Sequence, residues 1–520
     1  MQLHKKMFKL MVWLTTCCFV VSCYKANAVL VTPGNSISLD KKFAVIHWLN
    51  YTSELTQAYI SDNVLKGVAA PKKHHFKGQT IHFYIDKSIE LPIDKKFISI
   101  PVTEFYKVEM YTDRSGNIAK TVFFTLLGAA LITAAVIASS IESKESSCPF
   151  VYAFNGEVFG LEGEIYSGAI YPSLERHDYL PLPHLQAAGD AYHIKLTNEV
   201  KEIQYTNLAE LIVVDHQPGS EVLFDKYGSL YTFGKLSSPQ QAQSLHGDDI
   251  SAFILNKDSL IYAGDLKAQG EALMDGMIVH FRKPAHTDTA KLIIRAKNSF
   301  WFDHAFGLFS NQFGEFYPTW REMQKAVPAE QLQKWSLDQG MPLSVYIEKD
   351  QQWQFVDYFN LAGPMALRSD LLAINVADIA SDEVKIKLEY GFAFWEVDYV
   401  GMDFSKNLPV LQKSVPLSSA IDHGGKNVSE LLMQDDSEYQ VLAEVGQQVT
   451  LKFPAPERLQ GMQRTVFLHS KGHYEAIRDP KGKPDFAHLI EFRQPGRFIE
   501  FSNEKIHEFL SSEGDKNGAN

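Results

Sequence analysis

Cysteine is scarce in this chain of 520 residues. Cys17, Cys18 and Cys23 crowd its start, and Cys148 stands alone in the remainder. A disulfide framework is excluded for the body of the protein, so hydrophobic cores must hold the fold. Positive charge is also short. Lys and Arg number 50 against 62 Asp and Glu, a formal net charge of −12. A general nucleic-acid binder needs a basic face that displaces counterions, and the short group Lys72, Lys73 and Lys77 does not supply one. Reactive-site motifs are missing too: there is no Gly-x-Ser-x-Gly, no His-Glu-x-x-His and no Gly-x-x-x-x-Gly-Lys-Ser/Thr. No catalytic residue, metal or cofactor is therefore expected. What remains is ordinary globular material, 45 % hydrophobic and 22 % charged, long enough for two to four domains. The 34 Phe and 22 Tyr lean towards β-structure, where aromatic side chains pack on pleated surfaces.

The first 22 residues read as an export signal. Lys5, Lys6 and Lys9 form a positive start, and Met11 to Val21 is an uncharged apolar run too short to span a bilayer. The run ends in Val20-Val21-Ser22-Cys23, which resembles a bacterial lipobox and implies cleavage before Cys23 and acylation of its thiol. Two alternatives are ordinary cleavage after Ala26-Asn27-Ala28 and an uncleaved anchor. The first address is thus a membrane of the bacterial cell envelope, by a lipid anchor; which membrane is open.

Residues 23–120 carry short alternating runs, among them Phe43 to Trp48 and Gln79 to Ile85. The segment SIPVTEFYKVEMY resembles the closing strands of a small Sm-like β-barrel. Residues 121–141 are uncharged and rich in Gly, Ala, Ser and Thr, between Lys120 and Glu142. As a helix they reach roughly the 30 Å of a hydrocarbon core. A transmembrane helix is expected, with a buried helix or an oligomer-core helix as alternatives. Beyond Cys148, strands are expected at Val151 to Phe154, Ala191 to Leu196, Glu210 to Val214, Met277 to Phe281 and Lys291 to Arg295. Asn155-Gly156, Gln217-Pro218-Gly219 and Asp275-Gly276 would be turns between strands. The pattern predicts a first β-sandwich module at 148–299, an amphipathic helical linker of one or two helices at 300–340, a second module at 341–510 and a polar tail at 511–520.

The segment SCPFVYAFNGEVFGLEGEIYSGAIYPSLERHDYLPLP, with LAELIVVDH, KNSFWFDHAFG, FAFWEVDYVGMDFS and RTVFLHSKGHYEAIRD further on, resembles a module of uncharacterised bacterial proteins. Cys-Tyr-Lys after the lipobox, and the order of the parts, resemble lipoproteins of the Bacteroidota type. The resemblance implies β-sandwich modules; it carries no activity and transfers no catalytic residue.

One acidic cluster invites chemistry: Glu162, Glu164, Glu175, His177 and Asp178. Paired carboxylates suit glycoside hydrolysis, and His177, Asp178 and Glu164 could hold a divalent metal. The competing reading is structural hydrogen bonding, with Glu162 and Glu164 sharing one face of a strand. His469-x-x-x-His473 would bring two ligands together only on a helix. Glu396 and Asp398 read as the polar face of an amphipathic strand, and Cys148 as a buried structural thiol rather than a nucleophile. Of Trp301, Trp320, Trp335, Trp353 and Trp395, any left at the surface would be a candidate glycan contact. The expectation is a mainly β, membrane-anchored envelope protein that binds or scaffolds an envelope protein or glycan. The alternatives are a glycan hydrolase using residues 162–178 and an oligomeric membrane assembly built on helix 121–141. Replacing Cys23 by Ala is expected to abolish incorporation of labelled palmitate and move the protein out of the membrane fraction. Undiminished labelling would remove the lipobox assignment.

Overall fold

The computed structural model describes eight strands between residues 37 and 122, then residues 148–264 and 273–518. The leader, Cys23 and residues 123–147 lie outside the described residues, and with them most of the helix expected at 121–141. Thr121 and Val122, expected to open that helix, instead close the strand Ala119–Val122. Among the described residues no helix is long and apolar enough to cross a membrane. The architecture is mainly β, with 43 % strand and 17 % helix in several sheets. Two compact units divide the chain, Met1–Ser140 and Ile141–Asn520.

The eight strands of the first unit form one sheet. Its order runs Phe97–Pro101, Val64–Ala69, Tyr51–Ser61, Phe43–Trp48, Thr80–Ile85, Phe105–Tyr111, Ala119–Val122, with Ile37–Ser38 on Tyr51–Ser61. Phe43–Trp48 and Thr80–Ile85 run parallel, and the other neighbours antiparallel. This sheet cannot be flat. Pro101 and Phe105 are four residues apart and reach at most about 14 Å. Their strands are five spacings apart in the sheet, roughly 24 Å if it were flat. The covalent link therefore requires strong curvature.

The second unit is nested rather than tandem. A cover sheet has the order Phe159–Glu164, Phe150–Phe154, Ala191–Thr197, Gln448–Pro454, Ser419–Asp422. A central sheet has the order Arg176–Pro181, Gln463–Ala476, Glu202–His216, Leu411–Val415, with Gln440–Leu442 also on Glu202–His216. Both draw strands from either side of residue 340. The expected split into modules at 148–299 and 341–510 is thus not how the sheets are built. Between the two halves of this sandwich the chain makes a hairpin (Glu221–Phe224 with Leu230–Phe233) and two inserted sheets. The five-stranded one runs Gln241–Ser244, Met274–Arg282, Glu383–Gly391, Leu343–Lys349, Gln352–Phe359. The three-stranded one runs Arg368–Asn375, Thr289–Asn298, Trp395–Asp403.

Alternation in sequence explains the cover and central sheets. Val449, Leu451 and Phe453 point inward at every second position and meet Val151, Ile194, Leu211, Val213 and Leu468 in one core. Each fully buried side chain of this kind contributes about 1.5–3 kcal/mol. The central sheet breaks the alternation around Leu211 to Val214 because both its faces are covered there. Ile212, Val214 and Phe467 turn to the other side and pack with Val222, Phe224 and Phe233 of the hairpin and with Ile293 and Leu371 of the three-stranded sheet. Double coverage is the reason that Leu211 to Val214 is a continuous apolar run.

The segment expected as a linker at 300–340 holds three α-helices, Phe300–Asn311, Tyr317–Gln324 and Ala329–Asp338, and it docks against the C-terminus. Ser299 caps the first by accepting from the Phe302 amide. Phe309 lies 4.7 Å from Phe492 between ring centroids, and Phe313 stacks on Trp320 at 4.0 Å. The Trp301 indole donates to Ser502 at 2.8 Å. The polar end expected as a tail at 511–520 continues a helix, Arg497–Gly518.

Asp275-Gly276 is not a turn. It lies inside the strand Met274–Arg282, where Gly276 has φ +144° and any Cβ would run into the Leu388 carbonyl of the neighbouring strand. Gly276→Ala is expected to destabilise by about 2–4 kcal/mol. Gly461→Ala, also at positive φ but with open space around it, should cost only about 1 kcal/mol. Chemical denaturation of both variants checks this, and equal losses would contradict the close approach.

Candidate functional site

The acidic cluster is dispersed by the fold. A β-bulge between Leu161 and Gly163 interrupts the strand at Glu162, so Glu162 and Glu164 do not simply share a face. Glu162 accepts from the His184 amide and lies 3.1 Å from its Nδ1. Glu164 is buried, accepts from the Met365 amide at 2.8 Å and takes the Cys148 thiol at 3.3 Å. It sits so close to the 363–365 loop that only glycine fits at Gly363, φ +81°. Cys148 is buried as expected. Burial, with Glu164 and Glu202 nearby, pushes its thiol well above the ordinary value, so it stays protonated. Burial likewise raises the Glu202 carboxyl, whose Oε1 accepts from Gln204 at 2.7 Å.

Asp178 and His177 are neighbours in sequence but point to opposite sides of Arg176–Pro181. Asp178 faces inward, accepting from the Tyr166 amide at 2.9 Å and from Arg368 at 2.6 Å. Burial opposes its charge, yet Arg368 and Arg176 outweigh burial and hold its carboxyl below the usual range. Arg368 also bonds Asp370 at 3.0 Å. Burial dominates at Asp370 and raises it. These residues line a cleft with Arg176, Lys226 and Tyr358, where the central sheet meets the insert. Lys226 crosses it to Asp357 at 2.5 Å and to the Tyr358 carbonyl at 2.9 Å. The cavity measures about 30 Å³, room for one or two waters and not for a sugar or cofactor. It is a latch between layers.

The outward face of the central sheet carries a hydrogen-bonded line of side chains. His469, Lys471 and His473 alternate on one face of Gln463–Ala476. Tyr179 stacks on His469 at 4.5 Å, and Tyr205 on His473 at 4.6 Å. His469 Nδ1 lies 2.8 Å from Glu210, whose other oxygen accepts from Ser414. His469 Nε2 lies 3.0 Å from His177 Nδ1, and His177 Nε2 lies 3.5 Å from Asp435. Lys471 joins Asp435 at 2.5 Å and Glu175 at 3.3 Å, and Glu175 lies 3.6 Å from His473. Burial opposes the charge of Glu175, but His473, Tyr439 and Lys471 together outweigh it and keep the carboxyl below its usual range. Behind this face a bulge at Asn207 turns its amide onto residue 436, tying down the segment that carries Asp435.

Hydrogen-bond accounting fixes the proton positions in the neutral line. His469 Nδ1 must donate to Glu210, which leaves its Nε2 as acceptor, so His177 Nδ1 donates. The remaining lone pair, on His177 Nε2, faces Asp435 and solvent. One proton can therefore be taken up at one defined atom. Acyl chemistry does not follow: Ser414 bonds the carboxylate and not an imidazole, the reverse of a nucleophile's place in a triad. Among the described residues no group of three or more His, Cys, Asp or Glu could hold a metal ion.

His469 and His473, expected to come together only on a helix, share one face of a strand, and the period of two in His469-x-Lys471-x-His473 is the signal of the line. A second correction concerns Glu396 and Asp398, expected on a polar surface. Both are buried and answered from the neighbouring strand, Glu396 by Lys297 at 2.9 Å and Asp398 by Arg295. Lys291 and Asp403 add a third pair at 2.9 Å. Asp215 is gripped by Arg464, whose Nε and one Nη each donate to it at 2.7 Å.

No family model matches the chain, and no curated protein does. Among solved structures, a chain of Sulfolobus turreted icosahedral virus is 8 % identical, over 58 % of this chain and 91 % of its own, with a TM-score of 0.15. The arabinofuranosyltransferase AftD from Mycobacteria is 8 % identical, over 86 % of this chain and 39 % of its own, with a TM-score of 0.12. Scores this low carry no argument about fold or function.

Two outcomes are expected. Arg368→Ala removes the cation bonded to both Asp178 and Asp370 and should destabilise by about 3–5 kcal/mol in denaturant; a loss below about 1 kcal/mol would contradict the latch. Burial and His469 hold His177 below the ordinary histidine value against the pull of Asp435. The unfolded chain then binds more protons once pH falls below about 6.5, so stability falls with acid there. Glu210, lowered chiefly by its His469 hydrogen bond, adds a loss in the same direction at lower pH, through its folded value. His177→Gln should flatten the stability profile between about pH 7 and 5. An unchanged slope would show that His177 does not set it.

Proposed function

We propose that the chain is a lipid-anchored bacterial envelope protein that binds or scaffolds rather than catalyses, with an envelope protein or a glycan as its partner. The observation that carries this reading is the use of the acidic cluster as bracing: Glu164 holds a loop, Asp178 an arginine between layers, and Glu175 a lysine and a histidine. Each carboxylate expected to do hydrolysis already has a structural task. The leader and Val20-Val21-Ser22-Cys23 support the address, and the curvature required of the first unit supports reading it as a small Sm-like barrel. The water-facing sheet faces, with ion-paired and aromatic side chains held in place, suit contact with a partner.

The experiment is an unbiased screen of envelope polysaccharides for released reducing ends, with Glu164→Gln as control. No release is expected. Release that disappears in Glu164→Gln, with its denaturation midpoint retained, would overturn the proposal. Protease treatment of intact and then outer-membrane-permeabilised cells places residues 148–510. Cleavage in intact cells assigns a surface role, and cleavage only after permeabilisation a periplasmic one. Resistance in both, lost on spheroplast lysis, would overturn the address.

A further inference from the structure

The fold sorts the five tryptophans that the sequence left as a group. Trp301 and Trp395 are buried, their indoles donating to Ser502 and to the Met341 carbonyl. Trp320 stacks on Phe313, and Trp335 donates to the Phe492 carbonyl within the helical aromatic cluster. Trp353 differs. It lies on Gln352–Phe359, the edge strand of the five-stranded inserted sheet. Phe355, two residues on, shares its face and is 51 % exposed. Tyr346 pairs with Phe355 across the strands and meets it edge-on at 5.6 Å.

The opposite face of this sheet is already a complete core, with Val345, Ile347, Ile386 and Leu388 buried. The half-buried Tyr346 and Trp353 and the exposed Phe355, on the other face, are therefore not needed to close it. They are also held in place. The Lys387 ammonium lies 4.2 Å from the Tyr346 ring centroid and 5.9 Å from that of Trp353, and is fixed by Glu389 at 2.7 Å. Lys385 is matched in the same way by Glu348 at 2.7 Å. Flat aromatic surfaces are thus flanked by fixed hydrogen-bonding groups whose charges cancel in pairs.

We infer that Tyr346, Trp353 and Phe355 form a binding platform for a neutral oligosaccharide. Sugar rings present apolar C–H faces that stack on Trp353 and Phe355, and hydroxyls that bond to Glu348, Lys385 and Glu389. A protein partner of ordinary size needs a larger apolar patch than three side chains. A charged glycan or nucleic acid needs uncompensated charge, which the paired lysines do not offer. This inference rests on the binding role proposed above and names its ligand class.

The test is calorimetric titration of the full-length protein with maltohexaose, cellohexaose and chitohexaose, and with an oligogalacturonate as the anionic comparison. Saturable binding of at least one neutral hexaose is expected. Trp353→Ala and Phe355→Ala should each weaken it about tenfold or more, with Trp353→Tyr retaining most of the affinity and denaturation midpoints unchanged. Preference for the oligogalacturonate overturns the neutral class. Binding that persists in both alanine variants overturns this platform but leaves the binding role standing. No binding by any of the four at millimolar concentration overturns the glycan inference and leaves the binding role to a protein partner.

Discussion

Glu202–His216 lies against Gln463–Ala476 along nearly its whole length, from Glu202 beside Ala476 to His216 beside Gln463. Partners in this ladder stand some 250 residues apart in sequence, and the cover sheet, the hairpin and the three-stranded sheet pack on it. One side of the pair carries the sandwich core, the other receives the hairpin and insert, and its outward stretch bears the histidine line. Closing so long a loop adds little beyond a short one, because loop entropy grows with the logarithm of length, about 0.6 kcal/mol per doubling. The insert offsets that with its own buried rows. Nesting is therefore compatible with stability, and it imposes non-local pairing, which folds slowly.

A second constraint follows from coverage. A sheet buried on both faces has no water side for its charged residues, so each must meet a partner inside. Asp178 meets Arg368, Asp215 meets Arg464, and the strand Trp395–Asp403, buried at every position, sets its acids against Lys291, Arg295 and Lys297. The charged groups near layer boundaries thus serve register and attachment. Among the described residues, His177 and Phe355 lie where the sheet faces turn back to water.

Much of the strand inventory was legible. Val151 to Phe154, Ala191 to Leu196, Met277 to Phe281 and Lys291 to Arg295 all lie in strands, because period-two alternation is a local consequence of pleating. Gly276 was misread, since Asp-Gly has the composition of a turn while the close neighbour that demands glycine lies 112 positions away, at Leu388. The helices at 300–340 were legible as helices. Their partners at Phe492, Phe498 and Ser502 were not, so a docked layer looked like a linker. Of the site, Glu175, His177 and His469 were singled out, but Glu210 and Asp435, which join them, come from another strand and a distant segment.

By itself the sequence determined the β-rich character, the reliance on cores instead of disulfides, and the buried state of Cys148, because composition and short-range periodicity act within a few residues. Tertiary structure alone decided that the chain is nested, that Glu396 and Asp398 are interior, and that Phe355 stands in water while Trp395 does not. Those outcomes depend on which surfaces meet across hundreds of residues. A strand's own alternation states that it has two faces, but what covers each face is a property of its partners.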